Sequence, residues 1–267
     1  MFIKLTAFDL SLAAVLVVLL GMLSAYMKLG VAKQLYIAAL RTTIQLSLIG
    51  LVLKSLFEST QPFFILLICF VMISVAGWEI LSRQKRKLKG WWGFGVSAGS
   101  LFISSFLITV LSLFIVIQAD PWYSPQYAVP LFGMLLGNTM TGIALGMDRL
   151  TQTAWQQRPV IEQRLMLGES ADKAISDIRS EAMRAGMIPI INSMAAAGLV
   201  SLPGMMTGQI LSGTEPMIAV KYQILIMFLI TAGTGFGTWI ALWFGSRHMF
   251  DERQRLRLDR LRINEND

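Results

Sequence analysis

The sequence predicts an all-α, polytopic membrane protein with seven transmembrane helices, an external N-terminus and a cytosolic C-terminus. Of its 267 residues, 55% are hydrophobic and only 15% are charged. The apolar residues gather in blocks near twenty residues long, which is the length that an α-helix needs to cross the hydrocarbon core. The predicted spans are residues 6–27, 35–56, 62–81, 95–117, 130–148, 188–211 and 222–245.

The distribution of basic residues sets the expected orientation. Nineteen of the 23 Lys and Arg residues follow the first, third, fifth or seventh block. Basic residues near span ends resist translocation across the membrane. We therefore expect these connections on the cytosolic side, and we expect the chain to lie in the cell inner membrane. The same bias accounts for the net charge of +7, and we therefore expect contact with membrane lipids and not with nucleic acid.

The connection between the fifth and sixth blocks predicts a cytosolic elbow of two short helices at residues 158–187. Pro159 suits a first helical position, and Gly168 suits a left-handed stop. Ser170 can then cap a second helix. This helix has balanced charge and no aromatic anchor, which favours docking to a protein over lying on the membrane, although both remain open. The basic tail, residues 246–267, is expected to form a helix.

The residues available for chemistry exclude several classes of protein. Cys69 and His248 are the only cysteine and histidine, so disulfide frameworks, Cys/His metal cages and a histidine-based intramembrane enzyme are not expected. A Gly-x4-Gly-Lys-Ser/Thr loop is missing from the sequence, so we expect this chain to bind no cofactor and any ATP to be used by a separate subunit. Asp9, Glu79 and Asp148 lie near span ends, which weakens the alternative of a stand-alone secondary carrier coupled to an ion gradient.

Five stretches, residues 40–46, 133–142, 167–171, 184–189 and 201–208, resemble the FetB-type iron-export permeases of ABC transporters, whose plant relatives include aluminium-tolerance permease subunits. The resemblance implies one permease domain over residues 1–267, paired as a homodimer with a cytosolic ABC ATPase. It further implies export of iron or a related metal ion, and a role in metal homeostasis. The residues that it implies for coupling to the ATPase are Leu167, Gly168, Glu169, Ser170, Ala171, Arg184 and Gly186.

Candidate residues for a transport pathway lie in three of the predicted spans. Pro203 and Gly204 should break the sixth span and free backbone carbonyls at depth. Glycines in the fifth span are first explained by close helix packing, and methionines by flexible filling of the core. Arg41 fits a cation pathway poorly and could instead bind Asp148, an acidic lipid or the ATPase; the metal ligands are unknown. The candidates are Arg41, Gln45, Asn138, Thr141, Pro203, Gly204, Met205, Met206 and Gln209.

Overall fold

The computed structural model of the chain describes residues 6–58, 62–118, 121 and 124–263. These residues form an all-α structure with one short two-stranded ribbon, which confirms the predicted fold class. The chain divides into two compact units, Met1–Thr60 and Gln61–Asp267.

The first unit is a pair of helices, α1 at Ala7–Tyr26 and α2 at Ala32–Glu58. Thr6 and Asp9 form a capping box at the start of α1, in which the Thr6 amide donates to Asp9 Oδ2 at 2.8 Å and the Asp9 amide donates to Thr6 Oγ1 at 3.4 Å. This exchange satisfies two backbone donors that a helix N-terminus otherwise leaves unpaired. The two helices pack together through Tyr36, whose hydroxyl donates to the Val18 carbonyl at 3.0 Å.

The second unit is built around two long helices, α6 and α11, with α3 and α9 packed against α6. Residues Phe102–Phe106 are π-helical and join α4 to α5, and the π-helical residues Ser112–Ile117 extend α5, so that the four segments form one continuous span. The helices are α3 at Pro62–Arg83, α4 at Trp91–Leu101, α5 at Leu107–Leu111, α6 at Pro125–Gln156, α7 at Arg158–Met166, α8 at Ala171–Ala174, α9 at Ser176–Ala196, α10 at Gly204–Leu211 and α11 at Pro216–His248.

Five helical segments within the described ranges are long and apolar enough to cross a membrane: Phe8–Tyr26, Phe63–Arg83, Trp91–Ile117, Pro125–Gln156 and Pro216–His248. They correspond to five of the seven predicted spans. The predicted second span is the helix α2, which carries Lys33, Arg41 and Lys54 and is less apolar. The predicted sixth span is divided between α9 and α10, and neither half is a complete span. A count of seven spans, like the orientation of the termini, therefore stays a prediction.

The prediction that the tail forms a helix is wrong. The described part of the tail instead includes a strand, β2 at Leu261–Ile263, which pairs antiparallel with β1 at Arg86–Leu88. The Asp251 carboxylate accepts hydrogen bonds from the Arg253 and Arg255 amides at 2.9 and 2.8 Å, and these bonds turn the chain after α11. Local side-chain bonds of this kind offer the backbone an alternative to a helix. Leu258 and Leu261 are then buried in the core.

Candidate functional site

The second helix of the elbow is continuous with the first part of the predicted sixth span. The first helix of the elbow, α7, begins at Arg158, one residue before the predicted start at Pro159, which lies in the first turn. The second predicted helix is interrupted at Ile175, where α8 ends and α9 begins. Because α9 then runs unbroken to Ala196, the second part of the elbow and the first part of the predicted sixth span are one helix.

The turn between α7 and α8 presents an apolar tip. Met166 and Leu167 are 81% and 79% exposed, although both are large and hydrophobic. Gly168 follows with φ of +89°, a left-handed conformation that glycine adopts without a steric penalty, so the predicted helix stop is confirmed. Ser170 is the residue before α8, but its side chain makes no capping hydrogen bond; its carbonyl accepts from the Lys173 and Ala174 amides.

Ion pairs within and beside the elbow neutralise most of its charge. Glu169 pairs with Lys173 at 3.4 Å, and Arg164 with Asp177 at 2.8 Å. Arg158 pairs with Glu162, and Arg179 pairs with Asp172. Glu181 of α9 also pairs with Arg149 of α6. The elbow therefore presents an almost neutral surface around its apolar tip.

The elbow is attached to the tail and to the end of α11. The Ala171 amide donates to Gln254 Oε1 at 2.9 Å, and both residues line a cavity of about 340 Å³ with Arg247. The hydrogen bond from Arg179 to Asp172, at 2.7 Å, holds the pKa of that carboxyl below its usual value. Ile161, Ala174, Ile175, Ile178 and Ala182 are buried beneath the elbow.

The two remaining residues implied for coupling, Arg184 and Gly186, lie on α9 in different environments. Arg184 is exposed. Gly186 is buried where α9 crosses α6: a Cβ there would lie 2.7 Å from the Gly142 carbonyl oxygen and 2.8 Å from Thr238 Cγ2. The packing interpretation of the fifth-span glycines therefore holds at Gly142. A Cβ on Gly137, by contrast, would have no neighbour within 4 Å.

The pathway candidates on α6, Asn138 and Thr141, lie toward the surface of the second unit. Asn138 is exposed, and its Nδ2 donates to the Met134 carbonyl at 2.9 Å. Thr141 is half-buried, and its hydroxyl donates to the Gly137 carbonyl at 3.0 Å. An amide on the membrane-facing surface of a helix is costly unless it meets a polar partner. For the Asn138 Nδ2 group, the Met134 carbonyl is that partner.

The break in the sixth span is present and is wider than Pro203 and Gly204 alone. Helix α9 ends at Ala196, and α10 begins at Gly204 after Pro203. Gly198 adopts φ of +88°, and its amide donates to the Ser201 carbonyl at 2.9 Å. Between these residues Leu199 is 94% exposed. The break therefore forms a folded apolar loop with its own hydrogen bonds.

The residues after the break mostly serve the core. Met206 is buried, and Met205 packs against the apolar cluster that includes Ile190 and Ile226, as the filler interpretation predicts. Gln209 is half-buried, and its Oε1 has no hydrogen-bond partner among the described residues. The Gln209 Oε1 atom is itself buried, so Gln209 also faces the interior of the second unit.

The candidates Arg41 and Gln45 lie on exposed positions of α2 in the first unit. Asp148, one partner considered for Arg41, lies in the second unit. There its carboxylate accepts hydrogen bonds from the Lys85 amide at 2.9 Å and from Gln152 Nε2. The role of Arg41 stays open.

Sequence reasoning missed a row of buried hydroxyls along the fourth span. Small hydroxyl residues allow close packing of membrane helices. A Cβ on Gly237 would lie 2.7 Å from Ser104 Oγ and 2.5 Å from Thr139 Cγ2, so the π-helical segment Phe102–Phe106 and α6 both approach α11 closely here. The feature of the sequence that could have revealed this row is the spacing of serine and threonine by three and four residues within the fourth predicted span. The buried residues are Ser97, Ser100, Ser104, Ser105, Thr109 and Ser112.

Several known proteins are similar to this chain over most of its length. A relative from Synechocystis, "UPF0014 membrane protein slr1647", is 36% identical over 89% of this chain and 93% of its own. The Escherichia coli protein named "Probable iron export permease protein FetB" is 32% identical over 95% and 96%, respectively. "Protein ALUMINUM SENSITIVE 3" of Arabidopsis thaliana is 33% identical over 80% and 77%.

No solved structure matches the chain with significance. The model of the family described as "Uncharacterised protein family (UPF0014)" matches residues 7–250. The long apolar helices agree with the relatives that are named membrane proteins, and the chain is a multi-pass membrane protein. Because the family model matches most of the chain, the chain belongs to the UPF0014 family.

Proposed function

We propose that this protein is the permease subunit of an ATP-driven, ABC-type exporter in the cell inner membrane, with iron or a related metal ion as substrate and metal homeostasis as its role. Two copies would work with two copies of a cytosolic ATPase, which would bind and hydrolyse the ATP. The proposal includes seven spans, an external N-terminus and a cytosolic tail.

The elbow is the observation that carries the proposal. A membrane-surface helix is typically cationic and buries aromatic residues in the headgroup region. This elbow has neutralised cations, and its most exposed apolar residues, Met166 and Leu167, lie at a turn. Such a tip suits insertion into a protein groove, where a few buried apolar anchors supply most of the binding energy.

The way in which the elbow is joined to the other helices supports a role in transmitting movement from the ATPase. Its far end is continuous with α9, and α9 packs against both α6 and α11. A movement imposed at Leu167 would therefore change the contact between Gly186 and Gly142, which lies within the membrane segment. Close-packed interfaces of this kind respond to small shifts by switching between discrete arrangements.

The proposed substrate is supported by the name of the Escherichia coli relative and by side-chain oxygen atoms at the surface of the second unit. Asn138 lies one turn from the Gly142 contact on α6. Asn192 and Ser193 lie within two turns of Gly186 on α9 and are exposed. Amide and hydroxyl oxygens bind hard cations, whereas the buried methionines would favour Cu(I). A pathway on this surface would be completed by the second copy of the permease.

The test first asks whether a P-loop ATPase co-purifies with the tagged permease, and then reconstitutes the two proteins together in vesicles. Leu167→Asp should lower stimulation of ATP hydrolysis and ferrous iron transport by tenfold or more, because a desolvated apolar anchor contributes about 2 kcal/mol. Gly168→Pro and Ala171→Arg should do the same while insertion is retained. The matched control is Leu29→Asp, an exposed leucine in the turn between α1 and α2.

Two results would contradict the proposal. The first is unchanged ATPase stimulation in all three elbow variants. The second is full iron transport by vesicles that contain the permease alone and carry a proton gradient, which would identify a secondary carrier.

A further inference from the structure

The amide of Ala171, the first residue of α8, is bonded by a side chain from the distant tail. The first amides of a helix have no partner inside the helix, and a serine just before the helix usually accepts from one of them. Ser170 occupies that position, but its side chain makes no capping hydrogen bond. Gln254, 83 residues further along the chain than Ala171, accepts from the Ala171 amide at 2.9 Å. The tail therefore supplies the side-chain bond that the local sequence predicts from Ser170.

The backbone of Gln254 has a conformation that glutamine seldom adopts. Its φ is +58°, in the left-handed region. A Cβ atom makes this region unfavourable, and glycine is the usual residue there. Glycine would adopt the conformation freely, but it has no side chain that could reach the elbow. A residue persists in such a conformation where its surroundings compensate for the strain, and residues of this kind cluster at functional contacts.

The turn that carries Gln254 is fixed by the chain on both sides of it. The Gln254 amide donates to the Asp251 carbonyl at 2.9 Å, and the Asp251 carboxylate accepts from the Arg255 amide at 2.8 Å. The Arg257 amide donates to the carbonyl of Met249, the residue that follows α11, at 2.7 Å. The turn is therefore a firm support from which the Gln254 side chain extends to the elbow.

A cavity of about 340 Å³ lies beside the bond between Ala171 and Gln254. Ser170 and Asp172 line it on the side of the elbow, and Phe250 lines it on the side of the tail. Because this space separates the two segments, close packing alone does not hold the start of α8 against the tail. The position of the elbow at this point therefore depends on the hydrogen bond.

We propose that Gln254 is a positioning residue for the elbow. Its side chain fixes the start of α8 to the tail and thereby sets the place of the apolar tip, whose Leu167 lies four residues before Ala171. The elbow is thus held at two points, by the continuation of α9 and by the tail. The consequence for coupling rests on the proposed function, in which the tip contacts the ATPase. The bond and its effect on the elbow do not depend on that function.

Amide hydrogen exchange of the full-length protein in detergent tests the bond directly. Gln254→Gly removes the side chain and also relieves the strained backbone. Exchange in residues 169–175 should become faster by about two- to tenfold, the factor that corresponds to the loss of one hydrogen bond. The thermal midpoint should be nearly unchanged, because relief of the backbone strain offsets the lost bond. A residue that only stabilised the tail would lower the midpoint when replaced.

Two further variants separate the bond from other effects. Gln254→Glu keeps a side chain of the same length with an oxygen that accepts from an amide, so exchange should stay as in the original protein. Glu252→Gly is the matched control, because Glu252 is an exposed residue of the same turn. It should leave exchange in residues 169–175 unchanged.

ATP hydrolysis by the reconstituted complex tests the consequence for coupling. Gln254→Gly should lower stimulation of the ATPase by about two- to tenfold, whereas Gln254→Glu and Glu252→Gly should retain it. Unchanged exchange in Gln254→Gly would overturn the proposal, and so would unchanged stimulation by this variant. If the original permease gave no stimulation, the proposed function would be wrong, and the exchange measurement alone would decide whether Gln254 positions the elbow.

Discussion

At the scale of single residues, close packing determines which glycines can change. Gly186 and Gly142 bring α9 and α6 together so closely that a methyl group has no space. Gly137, one turn and a residue from Gly142 on the same helix, faces open space. The same residue type is therefore essential at one position and replaceable at the other.

Gly186→Ala should lower the free energy of unfolding by about 1–3 kcal/mol, the usual effect of overpacking a core. Gly137→Ala should leave stability unchanged or raise it, since alanine favours a helix by up to about 1 kcal/mol. Denaturant unfolding in detergent micelles measures both. Equal stability of the two variants would show that α6 and α9 do not make this contact.

The ion pair between Asp172 and Arg179 predicts a pH dependence of the elbow. Because the folded pKa of Asp172 lies below its value of 3.8 in an unfolded chain, the pair stabilises above pH 3.8 and is lost as pH falls through the folded pKa. Asp172 is largely exposed, so solvent screening limits the effect to about 0.2–1 kcal/mol.

Asp172→Asn should therefore speed amide exchange of residues 171–179, relative to the original protein, at pH 7 and at pH 5. The difference between the two proteins should disappear as the Asp172 carboxyl becomes protonated. A double-mutant cycle with Arg179→Gln assigns the effect to the pair. A difference that grows on acidification would contradict the assignment.

At the scale of elements, the break between α9 and α10 depends on the backbone preferences of two residues. Gly198 provides the left-handed conformation that turns the chain after α9, and Pro203 starts α10. A residue with a Cβ pays about 1–2 kcal/mol for that conformation. The loop between the two helices therefore depends on the glycine as well as on the proline.

Gly198→Ala should lower stability by about 1–2 kcal/mol and slow iron transport in the reconstituted complex. The control is Gly208→Ala within α10, where the added methyl group meets open space and should not lower stability. Thermal unfolding and initial transport rates measure the two outcomes. If Gly198→Ala behaved as the control does, the loop would not require the left-handed conformation.

At the scale of the whole molecule, the structure gathers distant segments at one end of the second unit. The connection after α3, the elbow and the tail meet there through the bonds of Lys85 to Asp148, Lys89 to Arg260 and Ala171 to Gln254. These segments were all predicted on the cytosolic side from their charge. Their contact requires them to share one side of the membrane.

Cysteine labelling tests this sidedness. In a Cys69→Ala background, cysteines introduced at Lys87, Leu167 and Glu252 should react with an impermeant maleimide only after the cytosolic side is opened. A cysteine at Gly213, between α10 and α11, should react from outside intact cells. Labelling of Gly213→Cys and Leu167→Cys from the same side would contradict the seven-span topology.

Sequence reasoning succeeded where local chemistry decides the outcome. The start of α7 at Arg158, the left-handed Gly168 and the interruption near Pro203 follow from backbone preferences of proline and glycine. It failed at Ile175 and in the tail. There, burial of Ile175 and of Leu258 against distant helices outweighs local helix propensity, and the partners of that burial are not visible in sequence order.

The sequence by itself determined that the chain is helical and lies in a membrane, because the length and apolar character of a span are properties of consecutive residues. Only the tertiary structure decided that α9 joins the elbow to the membrane, that Gly186 packs on Gly142 and that Arg86–Leu88 pairs with Leu261–Ile263. These contacts depend on the distance between helix axes and on strand register, which residues far apart in the chain set together.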